Sequence, residues 1–355
     1  MAVTETKSSN RNMQEQISGY AWPSWHATLS NYKTPSMPKA IWQLANTLLP
    51  YWFLWFLMIL SIERGYPYAV TLTLALLAAA FAVRIFILFH DCVHGSFFGK
   101  KGPNTFFGHF LGLFVFTPFE DWRFSHLRHH ASYANLDARG YGDIWTMTFA
   151  EYEASPKWKR VSYRLYRNPA VLLGLGALFS FLLRYRLPAR KSTRKERMSV
   201  VFTDLLIIGV VMIASWSIGW KTYLLIQLPI FWLSGVAGVW LFYVQHQFDG
   251  VYWARKGDWD ALRAAMEGSS FYKLPPVLRW FSSNIGYHHV HHLGSRIPNY
   301  RLKECYDAVP ALQAKAPLTI GKSFSAISLK VWDEERKELV GFRQGESSPG
   351  GQRQM

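Results

Sequence analysis

Cysteine is scarce in this sequence of 355 residues, in which only Cys92 and Cys305 occur. Two thiols cannot form a disulfide framework, and they cannot supply the four ligands of an all-cysteine metal site. The scarcity fits a reducing compartment.

Charged residues are also few. They make up 17% of the chain, and 39 basic residues outnumber 23 acidic ones, which gives a formal net charge of +16. Half of the residues are hydrophobic and 17% are aromatic, a composition that favours a membrane protein. The basic residues lie beside apolar runs and do not alternate with aromatic residues. We therefore expect anionic lipid headgroups, and no nucleic acid, as their partner.

The first forty-odd residues have no short basic stretch followed directly by an apolar core. We therefore expect no cleaved signal peptide. Residues 1–43 are interpreted as a cytoplasmic N-terminal segment.

Four apolar runs are long enough to cross a membrane, each roughly 28–33 Å as a helix. They cover residues 44–62, 68–89, 199–218 and 223–244. Short turns join the first pair and the second pair, which predicts two helical hairpins. The apolar runs at 106–119 and 170–183 are too short to span and are interpreted as shallow segments in the membrane interface.

The predicted fold is therefore all-α and integral to the membrane, with four spans in two hairpins, interfacial helices and a cytoplasmic histidine-rich cap. The membrane domain is assigned to residues 44–310, and residues 311–355 are assigned to a cytoplasmic C-terminal tail.

The loop charges predict the orientation. The stretch from Arg184 to Arg197 holds seven Lys or Arg residues and the single acid Glu196. Positively charged loops remain on the cytoplasmic side. A further span at 170–183 would put this loop opposite the basic stretch from Lys157 to Arg167. The four-span interpretation avoids that conflict and places all three histidine motifs on the cytoplasmic face.

Histidine is concentrated in three short motifs, which hold eight of the twelve histidines. One motif reads H-x-x-x-H and two read H-x-x-H-H. Their members are His90 and His94; His126, His129 and His130; and His288, His291 and His292. Spacings of three and four place side chains on one face of a helix, which leaves His289 on another face.

These motifs predict a metal centre, although one histidine in a loop is usually a solvated surface residue. Neutral imidazole is the commonest metal ligand and suits zinc, copper, iron and nickel. A structural zinc ion takes four ligands and a catalytic zinc ion takes three and a water. Eight or nine imidazoles therefore predict two metal ions with about four or five ligands each. Ligand type alone leaves copper and zinc possible beside iron.

His246 belongs to no motif but follows the inner end of the last predicted span, at the depth that His90 has after the second span. We predict that it is a ninth ligand. The alternative is that it caps the C-terminal end of a helix, where partial positive charge is favourable.

The motifs, in their order and separation, resemble those of the membrane fatty acid desaturases from about His90 to Tyr300. The resemblance is carried by the three histidine motifs and by Ile297-Pro298-Asn299-Tyr300. The segments Asn135-Leu136-Asp137, Gly142-Asp143-Ile144-Trp145 and Gln245-His246-Gln247-Phe248 resemble the bacterial acyl-lipid branch, of the delta-12 (omega-6) and delta-5 kinds. Many relatives have Gly or Ala where Cys92 stands. Cys92 is interpreted either as a small buried apolar residue or as a neighbour of the metals.

The resemblance implies a di-iron centre bound by the histidines of the motifs, at the cytoplasmic face of a bacterial inner membrane. It implies that O2 and two externally supplied electrons are used to remove two hydrogens from neighbouring methylenes of an acyl chain. It also supports His246, because the family has an additional iron-binding histidine at the end of the corresponding span. Unactivated C–H bonds lie beyond the oxidising reach of side chains, so a metal that activates O2 is chemically required.

The electron donor is expected to be a separate protein. After Tyr300 the sequence has no further histidine for a haem and no cysteine set for an iron–sulfur cluster. A ferredoxin-like or similar acidic protein that meets the basic face is expected.

Ligand histidines normally donate their second N–H to a carboxylate, amide or carbonyl. Asp91 and Asn284 are predicted to fill this role, and Asp121, Asp137 and Asp143 are further candidates. Asn284 would share a face with His288 if the helix extended back that far.

Three other functions are weighed. A related histidine-rich hydroxylase or ketolase would share the metals but insert oxygen, and product analysis separates the two. A metal transporter is disfavoured because Asp204 is the only acid well inside an apolar span. A lipid-binding membrane protein with pH-sensing histidines would hold no stoichiometric iron.

Overall fold

A computed structural model describes residues 22–189 and 192–345. The expectations for residues 1–21, for Arg190 and Lys191 in the basic loop, and for residues 346–355 lie outside these described residues.

Four helices are long and apolar enough to cross a membrane: Met37–Glu63, Tyr68–His94, Arg194–Ile218 and Trp220–His246. In this order they are the first to fourth spanning helices. They form two hairpins, as predicted. The first hairpin turns at Gly65 and the second at Gly219, and both glycines adopt positive φ, at 70° and 80°, where a side chain would be strained.

Each spanning helix is longer than the apolar run from which it was predicted. The first begins at residue 37, where the apolar run begins at 44, and the second continues past residue 89 to His94. The apolar run marks only the part of each helix that is apolar enough to cross the hydrocarbon layer, whereas backbone hydrogen bonds continue the helix into more polar sequence. This extension matters because it carries His90 and His94 on a rigid element.

The second spanning helix is the centre of the bundle. It packs against both the first and the fourth spanning helices. Ala75, Ala78, Ala79 and Ala82 are buried on it, and such small residues let neighbouring helices approach closely. The helix therefore fixes the first histidine motif against the rest of the fold.

Arg84, a charged residue within the second spanning helix, faces the protein interior and not the lipid. Its Nε donates to Thr47 Oγ1 at 3.0 Å, and its Nη1 donates to Ser283 Oγ at 3.0 Å and to the carbonyl of Trp280. The guanidinium also lies 4.0 Å from the centre of the Trp280 ring. Arg84 thereby ties the first two spanning helices to the chain just before the third histidine motif.

Shorter elements form the cap and the interfacial layer. The other α-helices of the described chain are Lys101–Phe114, Phe119–Ser132, Phe149–Glu153, Lys157–Tyr166, Gly176–Leu182, Ala261–Met266, Pro276–Phe281, His288–Leu293, Asn299–Ala308, Pro310–Gln313, Ile320–Ser323 and Phe342–Gly345. Residues Ser24–Tyr32, Arg184–Arg186 and Phe324–Ser328 are 3₁₀-helical, and Ala170–Leu175 form a π-helical turn.

Both segments predicted to be shallow are helical over most of their length. The first, predicted at 106–119, is helical as far as Phe114, and residues 115–118 connect it to the helix that begins at Phe119. The second, Ala170–Arg186, follows helix Lys157–Tyr166 with a bend of 70°. The two pieces could count as a fifth span only if they were one element. The interfacial position of both segments stays a prediction.

The residues assigned to a C-terminal tail pack against the membrane domain as far as the structure describes them. Strand Pro317–Thr319 pairs in parallel with strand Phe271–Lys273, and strands Val331–Asp333 and Glu338–Val340 form an antiparallel pair. Val331 and Trp332 are buried, and the Trp332 N–H donates to the carbonyl of Met147 at 3.0 Å. The short alternation of apolar residues there gave too weak a signal to be predicted from sequence.

Candidate metal centre

Four helices bring the histidine motifs together. The second spanning helix ends in His90 and His94, and Gly95 stops it with φ at 68°. Helix Phe119–Ser132 carries the second motif, and the six-residue helix His288–Leu293 carries the third. The fourth spanning helix ends at His246. On the three helices that carry motifs, spacings of three or four residues place the rings on the side that faces the other motifs.

Five histidines form a first cluster, whose ligand nitrogens all lie within 4.8 Å of one another: His90, His94, His126, His130 and His291. The Nε2 atom of His126 lies 2.9 Å from that of His94 and 3.2 Å from that of His130. The Nε2 atoms of His130 and His291 are 3.1 Å apart.

Four histidines form a second cluster. His129, His246 and His292 meet the same 4.8 Å criterion. The Nε2 atom of His246 lies 3.2 Å from that of His129 and 3.0 Å from that of His288. His288 Nε2 is in turn 3.1 Å from His292 Nε2. His130 and His292 join the clusters, since their rings stack with centroids 4.2 Å apart.

The spacing of the nitrogens fits ligands around metal ions. Two nitrogens bound about 2.1 Å from one ion and at right angles to each other lie about 3.0 Å apart. The contacts between Nε2 atoms in both clusters, at 2.9–3.2 Å, match this separation. Nine imidazoles divided five and four, with no carboxylate among them, therefore suit two metal ions of borderline softness.

Burial favours the neutral form of five of these rings, which is the form that binds a metal. The pKa values of His126, His130, His288, His291 and His292 lie well below the ordinary value of 6.5. Burial in the protein is the largest cause, and the proximity of other histidines adds to it. Neutral rings can present an unprotonated nitrogen to a cation without first losing a proton.

Asp143 orients one of these rings. His129 Nδ1 donates to Asp143 Oδ1 at 2.6 Å, and the backbone N–H of Gly140 donates to Asp143 Oδ2 at 3.0 Å. A carboxylate on Nδ1 fixes the tautomer that leaves Nε2 free for a metal. Asp143 was one of the carboxylates that the sequence offered as partners of the ligand histidines. The sequence did not show that its partner is His129, because the two residues are 14 positions apart and are joined by an irregular loop.

Asp91 and Asn284, the two predicted partners of the ligands, meet at Asn299. Asp91 Oδ1 lies 3.6 Å from His90 Nδ1, too long for a strong hydrogen bond. Asp91 Oδ2 accepts from the Asn299 backbone N–H at 2.7 Å and from its side chain at 2.8 Å. The Asn284 side chain donates to the Asn299 carbonyl at 3.1 Å. Asp91 therefore holds the segment after the third motif against the second spanning helix, and Asn284 joins that segment to the turn before the motif.

Asn284 does not share a helical face with His288. The helix begins at His288, and Asn284 lies in a turn with φ at 60°. Of the other candidates, Asp121 accepts from the backbone N–H of Ala189 at 2.9 Å, and Asp137 pairs with Arg255 at 2.7 Å.

Two aromatic residues cover the rings, and sequence reasoning missed both. Trp122 stacks on His126 with ring centroids 4.2 Å apart, an arrangement that the four-residue helical spacing could have suggested. Tyr133 lies 4.1 Å from the His246 ring, and its hydroxyl donates to the carbonyls of Gly268 and His246 at 2.7 and 3.1 Å. Both aromatic rings therefore pack directly against ligand candidates, one in each cluster.

The other histidines of the described chain lie apart from the clusters. His289 points away, as predicted, and its Nε2 donates to the carbonyl of Leu312 at 3.1 Å. His26 stacks on Trp22 and His109 packs beside Phe119. Cys92 is buried in the apolar core of the first and second spanning helices, which favours the interpretation as a small apolar residue.

A four-span helical membrane domain with nine clustered histidines is the architecture of a histidine-rich membrane enzyme. Comparison with known protein families identifies the family to which the chain belongs. The model of the fatty acid desaturase family matches residues 66–324, so this chain belongs to the fatty acid desaturases, which are oxidoreductases. The resemblance inferred from the motifs is confirmed at this level, and so is the predicted all-α membrane fold.

The relatives include bacterial and cyanobacterial enzymes. A "Fatty acid desaturase" of Bacillus subtilis is 41% identical over 93% of this chain and 94% of its own length. An "sn-1 acyl-lipid omega-3 desaturase (ferredoxin)" of Synechocystis is 27% identical over 63% of each chain. An "sn-1 oleoyl-lipid 12-desaturase" of the same organism is 27% identical over 61% of this chain and 62% of its own.

Proposed function

We propose that this protein is an O2-dependent acyl-lipid desaturase that introduces a double bond into a fatty acyl chain. The observation that carries the proposal is the convergence of nine histidine nitrogens in clusters of five and four. The shared family and the acyl-lipid desaturases among the relatives support it.

The nine histidines would hold two iron ions, the first cluster one ion and the second cluster the other. All-imidazole coordination also suits zinc and copper. Iron is proposed because desaturation requires a metal that activates O2, and zinc has no redox chemistry. His246 is the ninth ligand in this proposal, since its Nε2 meets two other ligand nitrogens.

The overall reaction balances with two electrons and two protons. The acyl CH2–CH2 unit, O2, two electrons and two protons give CH=CH and two water molecules. Iron bound by these histidines would supply the oxidising power for cleavage of the unactivated C–H bonds. The electrons would come from a separate one-electron carrier. One relative is named for ferredoxin, and the net charge of +16 suits an acidic donor.

The residues of the chain position and protect this chemistry. Asp143 holds the His129 ring, while Asn299 and Asp91 fix the third motif against the helix of the first. Trp122 and Tyr133 cover the rings and exclude water, which protects a reactive oxidant from side reactions. Because the histidines stand on four rigid helices that converge, the two clusters keep a fixed position relative to each other.

Fatty acid profiling tests the function. The chain is expressed in a bacterial host that lacks acyl-lipid desaturases, and total lipid fatty acids are analysed by gas chromatography and mass spectrometry. A new monounsaturated or more unsaturated fatty acid is expected, absent when His291→Ala is expressed at the same level. Hydroxy or keto products in place of a double bond would support a hydroxylase or ketolase.

We further propose that the histidine cap lies on the cytoplasmic face of a bacterial inner membrane. The charge bias supports this. The ends of the second and fourth spanning helices that carry His94 and His246 lie on the same side as the beginning of the third spanning helix, which carries Arg194, Lys195 and Arg197.

Single cysteines test this orientation, because Cys92 and Cys305 are buried. Arg194→Cys begins the third spanning helix after the basic loop, and Lys221→Cys lies in the first turn of the fourth spanning helix, at the opposite end of this hairpin. Both positions are exposed. In sealed cells, a membrane-impermeant maleimide should label Lys221→Cys only. Labelling of Arg194→Cys from outside would invert the proposed topology.

A further inference from the structure

Helix Lys157–Tyr166 has an exposed apolar face. Trp158, Val161 and Leu165 are 71%, 56% and 57% exposed. Their spacing of three and four residues puts them on one face of the helix, opposite Tyr163, which is fully buried. A contiguous exposed apolar surface commonly marks a contact with a membrane or with another molecule. The face therefore calls for an apolar occupant.

The charges beside this face are all positive. The helix carries Lys157, Lys159, Arg160 and Arg164 and contains no acidic residue. None of the four takes part in an ion pair within residues 22–189 and 192–345. By helical spacing, Lys157 and Lys159 lie on opposite sides of the apolar face. Lysines placed in this way can lay their apolar stems along a lipid surface while their ammonium groups reach the phosphates.

The helix ends beside the last turn of a spanning helix. Arg167, the residue that follows it, donates through Nη2 to the hydroxyl of Tyr243 at 3.3 Å. Tyr243 lies one turn before the end of the fourth spanning helix at His246, and a tyrosine near the end of a span marks the headgroup level of a membrane. The next segment, Ala170–Arg186, packs against the same spanning helix, and helix Lys157–Tyr166 is bent by 70° from it. The exposed face is therefore close to the headgroups.

The buried side of the helix holds the segment that carries Asp143. The Tyr163 hydroxyl accepts from the backbone N–H of Met147 at 3.1 Å, and the Tyr166 hydroxyl accepts from that of Trp145 at 3.2 Å. The rings of Trp145 and Tyr163 also pack together, with centroids 4.9 Å apart. Because Asp143 lies two residues before Trp145, the two tyrosines restrain the loop on which this carboxylate stands.

We propose that helix Lys157–Tyr166 docks on an anionic lipid surface, with its apolar face among the acyl chains and with Lys157 and Lys159 at the phosphates. The same contact braces the loop of Asp143 and, through it, the ring of His129. A lipid surface is favoured over an acidic protein because the face lies close to the headgroups and its centre is wholly apolar. The docking involves residues outside the histidine clusters and does not depend on the proposed function.

Thiol labelling of the full-length protein in lipid nanodiscs tests the docking. Val161→Cys puts a small apolar thiol at the centre of the face, while Cys92 and Cys305 are buried. The discs contain phosphatidylcholine alone or a mixture with phosphatidylglycerol, and the rate of reaction with a water-soluble maleimide is measured in each. The control thiol is Lys221→Cys, which is exposed at the other end of the second hairpin. It corrects for the effect of an anionic surface on any thiol.

Phosphatidylglycerol should slow the labelling of Val161→Cys by about tenfold or more relative to the control thiol. Each lysine near an anionic surface favours docking by about fivefold. Adding Lys157→Gln and Lys159→Gln should abolish this slowing. Adding Lys256→Gln and Lys322→Gln, which removes two exposed lysines elsewhere, should preserve it. Equal labelling rates in the two lipids, or the same loss of slowing with both pairs of substitutions, would overturn the proposal.

The wild-type chain gives a second measurement that needs no substitution. Hydrogen exchange at the backbone amides of Trp145 and Met147 should be slower in the discs with phosphatidylglycerol, because docking restrains the tyrosines that hold these amides. Equal exchange in both kinds of disc would contradict the proposed brace. Protection of Val161→Cys by an added ferredoxin, with no effect of phosphatidylglycerol, would assign the face to a protein partner and overturn the proposal.

Discussion

The Nε2 atoms of His246 and His288 lie 3.0 Å apart although the two residues are 42 positions apart in the sequence. His246 ends a spanning helix, whereas His288 begins a short helix of the cap. Two neutral imidazoles that face each other nitrogen to nitrogen have room for only one hydrogen bond. A cation between the rings of the second cluster would satisfy all of these lone pairs.

The first prediction follows from this contact. His246→Ala removes a nitrogen that lies next to two other ligand nitrogens, so we expect the iron content to fall from two towards one per chain and turnover to be lost. His109→Ala is the matched control, since His109 packs beside Phe119 outside both clusters. Elemental analysis and product formation are measured in the same membranes. Two irons and normal turnover in His246→Ala would mean that His246 only caps its helix.

Asp143→Asn tests the orientation of His129. The amide cannot accept a hydrogen bond from His129 Nδ1 as strongly as the carboxylate does, so we expect metal affinity to fall by about 10–100-fold. The control is Asp137→Asn, because Asp137 is exposed and pairs with Arg255 away from the clusters. Competition with a chelator of known affinity measures the metal affinity of each variant. Equal metal affinities in the two variants would show that Asp143 does not orient His129 for metal binding.

His289 offers a structural counterpart inside the third motif. Because its side chain donates to the carbonyl of Leu312, His289→Ala leaves a buried carbonyl unpaired, and we expect a loss of about 1–3 kcal/mol in stability. The iron content should remain at that of the wild type. Thermal unfolding and elemental analysis of the same preparation measure the two effects. A His289→Ala chain that is as stable as the wild type but loses iron would place His289 among the ligands.

The motif histidines were predictable because local spacing alone determines which side of a helix they occupy. Their division between two clusters was not predictable. His126 and His130 belong to the first cluster while His129, on the same helix, belongs to the second. That division depends on how helix Phe119–Ser132 crosses the second and fourth spanning helices, and tertiary packing decides such crossings.

Other parts of the fold escaped the sequence for related reasons. Asn284 was placed on the helix of His288 by its spacing, but residues 283 and 284 adopt positive φ and interrupt any helix there. The packed strands after residue 316 are three residues each. Three residues give almost no periodicity, so their pairing rests on long-range contacts that no local pattern records.

The response of metal-free protein to acid follows from four histidines of the cap, His126, His130, His288 and His289. Burial lowers the pKa values of the first three in the folded chain well below the ordinary value of 6.5, and it lowers that of His289 to about 3. Between about pH 3 and pH 6.5, the unfolded chain therefore binds more protons than the folded chain. Their contribution to stability is complete above about pH 6.5 and falls as the pH decreases towards the folded values. Unfolding in denaturant should show lower stability at about pH 5 than at about pH 8, and equal stability would contradict this reasoning.

The metal content of the purified wild-type protein tests the central claim most directly. Inductively coupled plasma mass spectrometry on protein of known concentration, expressed with iron, zinc and copper available, counts each metal. The account predicts two iron atoms per chain and substantially less iron in His291→Ala. One metal per chain, zinc or copper in place of iron, or an iron content unchanged in His291→Ala would contradict it.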